Sequence, residues 1–298
     1  MLEDKLYDVE HALVMYAYSY AHFPAFAIYD EKALSQFEEV INNCHIYIVG
    51  FLPKIEFKGA QQKQEKLVIS FSLLGSSYDI DWQLPEGFKL HEQEGHFYAA
   101  NEEGRRIFPS TENMMARLRD KTGELNFNIQ YIGQAYGKDG SRNAINRLKK
   151  HETLQKISLQ GIPEGYQLEV LLLEIQPSNQ IITVFNPNAL DQSQGDERIA
   201  SGLDKLFGTD EHERITLYEA SLIRYFKPKY NKEFKESFPS TNMKVLKDCY
   251  DKDFTCIVAE ICLDDLPYQL FSDEAEPSAY HIIEHDLHKE KERRIFFS

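Results

Sequence analysis

Between His45 and Pro109 the chain abandons helical spacing for short β-rich runs, Ile46–Val49, Leu67–Phe71, Tyr78–Trp82 and His96–Tyr98, separated by Gly59, Gly75, Gly87, Gly95 and Gly104. Runs of this length bounded by glycine turns make antiparallel strands, which rules out an all-helical fold. Ahead of them, Leu6, Val9, Leu13, Tyr16, Ala17 and Tyr20, then Leu34, Phe37, Val40 and Ile41, recur at three- and four-residue steps. That spacing predicts two amphipathic helices, the first over 3–20, and so an N-terminal α+β domain.

Pro109-Ser110-Thr111-Glu112 reads as the capped start of a helix over 110–121, ended by Lys121-Thr122-Gly123 and bridging to a second unit. There a strand over 127–133, a glycine-containing loop over 134–141 and a helix from 142 to about 155 precede apolar β runs over 168–175 and 181–185 and a helix over 210–226. This order predicts a small mixed sheet with flanking helices. Beyond Asn231 come a basic helix-like stretch, a strand over 255–262 and an acidic tail. The expected units are residues 1–121, 122–235 and a C-terminal extension, 236–298.

The 298 residues suffice for a large core. No run approaches the roughly 18 apolar residues of a membrane span, and acids stand where a signal peptide carries basic residues, so a cytoplasmic protein without membrane contact is expected. Cys44, Cys249, Cys256 and Cys262 form no CxxC pair, as fits a reducing compartment. The last three read as buried thiols, with a zinc or redox site as the rival reading.

A net charge of −15 argues against a generally anion-binding surface. Yet residues 101–150 and 223–248 each carry four more basic than acidic side chains. Brought together, these windows would make a local positive surface.

Candidate chemistry clusters in those windows. Arg147 and His151 lie four apart, which on one helix puts a guanidinium suited to phosphate and an imidazole able to move a proton on a single face. Glu219 lies beside the stripe Ile215, Tyr218, Leu222, Tyr225, partly shielded from water. Lys227-Pro228 then forces a turn that brings Asn231 back towards the helix.

Tyr131-Ile132-Gly133 at a strand end, Arg147 and His151, Glu219 on a later helix, and Phe226-Lys227-Pro228-Lys229-Tyr230-Asn231 occur in an order that resembles the GIY-YIG nuclease superfamily. The matching stretch, from about Phe127 to Asn231, is roughly a third of the chain. The resemblance implies a GIY-YIG-like domain that hydrolyses phosphodiester bonds in DNA, RNA remaining an open substrate, with one divalent cation such as magnesium. It implies that Glu219 holds the metal, Arg147 neutralises the scissile phosphate, Tyr131 orients or deprotonates water, His151 relays the proton and Asn231 fixes the site by hydrogen bonds. Lys138, Arg142, Lys149, Lys150, Lys227, Lys229 and Lys232 would contact the DNA backbone. By analogy the role would be restriction or phage defence. The alternative is a non-catalytic nucleic-acid-binding protein that keeps the fold.

The family's first tyrosine, on the preceding strand, has its best sequence counterpart at Tyr98 in Gly95-His96-Phe97-Tyr98. The long stretch from Tyr131 to Arg147 leaves Tyr136 and Lys138 in a loop that would touch substrate. A third reading rests on His281, His285 and His288 around Glu284, which gather as a metal site if helical but not if the segment is a strand. His91 and His96, near Glu92 and Glu94, are a weaker version of the same idea.

Overall fold

The structure, a computed structural model, describes residues 4–136, 144–240 and 243–296. The fold is α+β. In chain order the first half contains β1 (Val9–Pro24), α1 (Glu31–Ser35), α2 (Glu38–Asn43), β2 (Ile46–Pro53), β3 (Ile55–Lys63), β4 (Lys66–Leu73), β5 (Ser76–Gln83), β6 (Lys89–Gln93), β7 (His96–Ala100), β8 (Arg106–Ile107), α3 (Thr111–Thr122) and β9 (Asn126–Gln134). The second half contains α4 (Ala144–Leu148), α5 (Glu152–Gln160), β10 (Tyr166–Ile175), β11 (Gln180–Phe185), α6 (Gly195–Gly208), α7 (Glu211–Phe226), α8 (Lys244–Asp251), β12 (Cys256–Cys262), β13 (Gln269–Phe271) and β14 (Tyr280–Asp286).

The first expected helix, over 3–20, is instead the long strand β1. Its apolar positions at helical spacing were only part of the pattern, because Ala12, Val14 and Met15 are buried as well. A run buried on both faces has no exposed helical side, and it suits a strand covered above and below. Glu10 within it is also buried, held by Arg198 at 2.6 Å and by Arg293 of the C-terminal segment at 2.8 Å.

One mixed sheet runs in the order β13-β9-β2-β10-β1-β12-β14, with β11 also paired to β1. Its strands come from all three stretches set off in the sequence, 1–121, 122–235 and 236–298, so the central sheet cuts across those boundaries. The chain leaves β2 at Pro53 and returns to pair antiparallel with it as β9 at Asn126. The intervening segment forms two three-stranded sheets, β3-β4-β5 and β6-β7-β8, around a separate core that includes Leu67, Ile69, Phe71, Leu73 and Leu118. Ser110 caps α3 by accepting from the Asn113 amide at 3.3 Å, and Gly123 ends it at φ 67°.

On one side of the main sheet, α7 buries Ile215, Tyr218, Leu222 and Phe226 against Ile48, Phe127, Ile132 and Leu171. On the other, α4 and α5 bury Ile145, Leu148, Leu154 and Ile157 against Val49, Val170 and Leu172. Phe127 lies across Gly50, where a Cβ would come within 2.2 Å of the Phe127 ring and 2.5 Å of the Asn128 carbonyl oxygen. Among the described residues no helix is long and apolar enough to cross a membrane.

Gly50→Ala is expected to lower unfolding stability by about 1–3 kcal/mol, the usual range for overpacking a core, in urea denaturation. A parent-like midpoint would show that this contact is not close-packed.

Candidate functional site

The site is built on the pairing of β2 and β9, which sets Tyr47 opposite Gly133 and Val49 opposite Tyr131. Both tyrosines project onto the face covered by α4 and α5. Their ring centroids are 6.1 Å apart. A Cβ on residue 133 would lie 2.6 Å from Tyr47 Cζ and Oη and 2.8 Å from Tyr131 Cε1, so only glycine lets the two rings close over this position. The tyrosine that partners Tyr131 is therefore Tyr47, not Tyr98. Tyr98 belongs to the separate β6-β7-β8 sheet, stacked on His91 at 5.5 Å with the Arg106 guanidinium 4.4 Å from its ring centroid.

Arg147 and His151 do not share one helix. The expected continuous helix breaks between α4 and α5, and His151 becomes the extended N-cap residue of α5. The reason is phase: Leu148 and Leu154 must both face the sheet, yet six residues make about one and two-thirds turns, which would point one of them away. The break resets the register and turns His151 inward. Its ring lies 5.7 Å from that of Tyr47 and 5.1 Å from that of Tyr131, with Nε2 3.5 Å from the Tyr131 hydroxyl. The buried Nδ1 has no hydrogen-bond partner.

Arg147, exposed at the end of α4, hydrogen-bonds the Tyr47 hydroxyl, and its charge acts on Tyr131, His151 and Glu219. Glu219 is buried on α7 and accepts hydrogen bonds from the backbone and side chain of Gln134, the residue after Gly133. Burial, reinforced by the negative charge of Glu233, pushes its pKa up to about 8. Burial likewise raises both tyrosines and lowers His151, which is further disfavoured as a cation by Arg147. In the neutral range the unliganded site thus holds two phenols, a neutral imidazole and a largely protonated carboxyl beside one arginine.

Asn231 closes the structure from behind. Its side-chain amide donates to the Ile132 carbonyl at 2.8 Å, and its Oδ1 accepts from the Ile132 amide at 2.9 Å. One residue earlier, the Tyr230 amide donates at 3.1 Å to the carbonyl of Gln130, the extra residue of the β9 bulge. The turn after α7 thereby acts as a short partner for the edge of β9.

Of the expected backbone contacts, Lys150, Lys229 and Lys232 are exposed, and Lys149 is half-buried in the turn after α4. Lys227 takes the left-handed position ending α7 and pairs with Glu236 at 3.0 Å. Lys138 and Arg142 lie outside the described residues. Tyr136 donates to Glu211 at 2.9 Å, which engages it with the start of α7.

The rival metal sites are not assembled. The strand reading of the C-terminal histidines holds for His281 and His285, which lie on β14. His281 meets Tyr225 and the Leu270 and Ser278 carbonyls, His285 the Ser221 carbonyl, and His288 the Phe254 carbonyl. Burial drives His285 down to about 4. Burial also raises the thiols of Cys249 and Cys256, opposing the thiolate a metal needs. Among the described residues, no group of three or more His, Cys, Asp or Glu side chains could hold a metal ion.

The oxygen donors at Glu219 instead fit a hard cation that takes one or two carboxylates and otherwise binds water and phosphate oxygens. A raised carboxyl beside a second acid is a place where a divalent ion would restore the charged form. Comparison of the chain with protein-family models, curated proteins and solved structures gives no match.

Because the folded-state pKa of Glu219 lies above the ordinary 4.5, folding is progressively disfavoured as pH rises from that value through about 8. Glu219→Gln should therefore melt several degrees higher than the parent at pH 9 without metal, with the difference vanishing near pH 4. Equal melting temperatures at both pH values would contradict a buried, raised carboxyl.

Proposed function

We propose that the protein is a metal-dependent endonuclease acting on DNA, of the GIY-YIG type. The observation that carries this reading is the convergence of Tyr47, Tyr131, Arg147, His151 and Glu219 around the Gly133 end of β9. These residues come from β2, β9, α4, the N-cap of α5 and α7, and include an acid, a cation, a neutral base and two hydroxyl groups, the inventory that hydrolysis of a phosphodiester requires.

Glu219, with Glu233 nearby, would hold a divalent cation such as magnesium, which supplies positive charge to the phosphate oxygens. The chain's own groups do the rest. Tyr131 would orient the attacking water and pass its proton towards His151, whose lowered pKa keeps the imidazole free to receive it; as the new P–O bond forms, the P–O bond to the leaving sugar oxygen breaks, and that oxygen takes its proton from solvent. Tyr131 alone is a poor base, because burial raises its phenol, so the pair rather than the tyrosine is the proton acceptor. Arg147 is exposed enough to leave Tyr47 for the phosphate and neutralise charge that develops there. Asn231, its amide fully engaged by Ile132, positions the strand and does not touch substrate. Lys149, Lys150, Lys229 and Lys232 would meet the DNA backbone.

Purified protein should nick supercoiled plasmid in magnesium, and Glu219→Ala should lower the rate by at least about a hundredfold, the scale of losing one charge-stabilising group. Parent-like nicking by Glu219→Ala would overturn the mechanism. DNA binding with no nicking by either protein would favour the non-catalytic alternative.

A further inference from the structure

The strand β11 is a sheet edge without the usual protection. It pairs with β1 on one side, and among the described residues no strand takes its other side. From Gln180 to Phe185 it carries no charge and no proline, the two devices that commonly keep an open edge from pairing. We propose that this edge, with the neighbouring flank of α6, joins two copies of the chain in a two-fold dimer. Such a dimer stands whether or not the chain cleaves DNA.

The main chain of β11 says what would pair with it. The Asn186 amide donates to the Asp8 carbonyl at 2.7 Å, in the register that sets Val184 opposite Glu10 and Ile182 opposite Ala12. Because antiparallel bonding alternates, Gln180, Ile182 and Val184 turn their main-chain groups to β1, and Ile181, Thr183 and Phe185 turn theirs outwards. A two-fold axis through Thr183 then matches the strand to itself. Ile181 meets Phe185 of the second copy, Thr183 meets its own counterpart, and Ile182 meets Val184. Each pair is apolar or threonine on threonine, combinations that stabilise neighbouring antiparallel strands, and no like charges are opposed. An isologous contact needs a self-complementary patch, which this strand supplies.

The helix α6 extends the match. It lies over β1 and β11: a Cβ on Gly202 would come 2.6 Å from His11 Nε2, and Asn179, the residue before β11, donates to the Leu206 and Thr209 carbonyls at 2.8 and 2.7 Å. One flank of α6 is tied to α8 and its end by Lys205 to Asp248 at 2.7 Å and Asp204 to Lys252 at 2.9 Å. Ile199, Leu203 and Phe207, four residues apart, run down the opposite flank, on the β11 side. Phe207 is 82% accessible, Leu203 48%, and Phe185 at the strand end 63%. Across the axis the two copies of α6 would run about 10 Å apart, the distance at which helices pack.

Area and charge both bear on the occupant. With Ile182 and Ile199, these side chains leave on the order of 500 Å² of apolar surface open, to which the main chain of the edge adds, against about 800 Å² per partner in a stable complex. The acids of α6 do not call for a basic partner. Asp196 and Glu197 stand in its first turn, where the helix end favours negative charge, and Asp204 is held by Lys252.

The test is sedimentation equilibrium of the full chain over the micromolar range. The parent should sediment at twice the 34.7 kDa of one chain. Phe185→Lys and Phe207→Lys change exposed positions and add the charge that guards natural edges. Each should raise the dissociation constant at least about tenfold and leave the far-UV circular dichroism of the parent unchanged. Thr183→Cys should form a disulfide with its own copy under mild oxidation, because residues facing each other in a hydrogen-bonded antiparallel pair lie about 5.5 Å apart, within disulfide reach. A parent that stays monomeric would overturn the proposal, as would a dimer that both lysine variants leave intact or one that never cross-links through position 183. A monomeric parent that co-sediments with phosphatidylcholine vesicles, and loses them in Phe207→Lys, would overturn it in favour of a membrane surface.

Discussion

The absent side chain at Gly133 is the constraint on which the site depends. Two tyrosines from neighbouring antiparallel strands meet over it, and a single methyl group would overlap both. Because the strands are fixed in register by the main-chain ladder, neither ring can retreat without distorting the pairing. The close approach brings Tyr47 within reach of Arg147 and leaves Tyr131 facing His151. Gln134, one step further along β9, then reaches Glu219 on the far side of the sheet's end. Four consecutive residues of one strand end, from Tyr131 to Gln134, thus meet His151, Asn231, Tyr47 and Glu219 in turn.

Electrostatics gives this geometry its direction. Burial acts on Glu219, the tyrosines and His151 alike, and in each case it favours the uncharged form. Arg147 is the exception, an exposed guanidinium at the mouth of an otherwise neutral cluster. Under the proposed function, a hard cation would come to the carboxyl and a phosphate to the arginine.

Much of this was legible in the sequence where local pattern and tertiary environment agree. The strands β2, β4, β5, β7, β9 and β10 announced themselves through β-branched runs and glycine turns, and α3 and α7 through their spacing and caps. Tyr131, Arg147, His151, Glu219 and Asn231 were picked out together by their resemblance to a known pattern rather than by local spacing. Three features were not. The strand β1 carries helical spacing by coincidence, and only its coverage on both faces shows that it is extended. The break before His151 depends on the sheet demanding Leu148 and Leu154 together, a demand no local window contains. Tyr47 escaped because a folded segment with its own core separates β2 from β9, so a search a few residues before Tyr131 finds a helix end instead. The readable signal was Ile46-Tyr47-Ile48-Val49 itself, a buried strand whose tyrosine needs a polar partner.

The central proposal is that Tyr47, packed beside Tyr131 over Gly133, belongs to the reacting site, whereas Tyr98 does not. Single-turnover cleavage of a labelled DNA substrate in magnesium, comparing Tyr47→Phe with Tyr98→Phe, tests it most directly. The account predicts a loss of at least about a hundredfold for the first and parent-like cleavage for the second, since removing one positioned hydroxyl donor from a reacting site has that scale. Cleavage by Tyr47→Phe at the parent rate, or an equal loss in Tyr98→Phe, would contradict it.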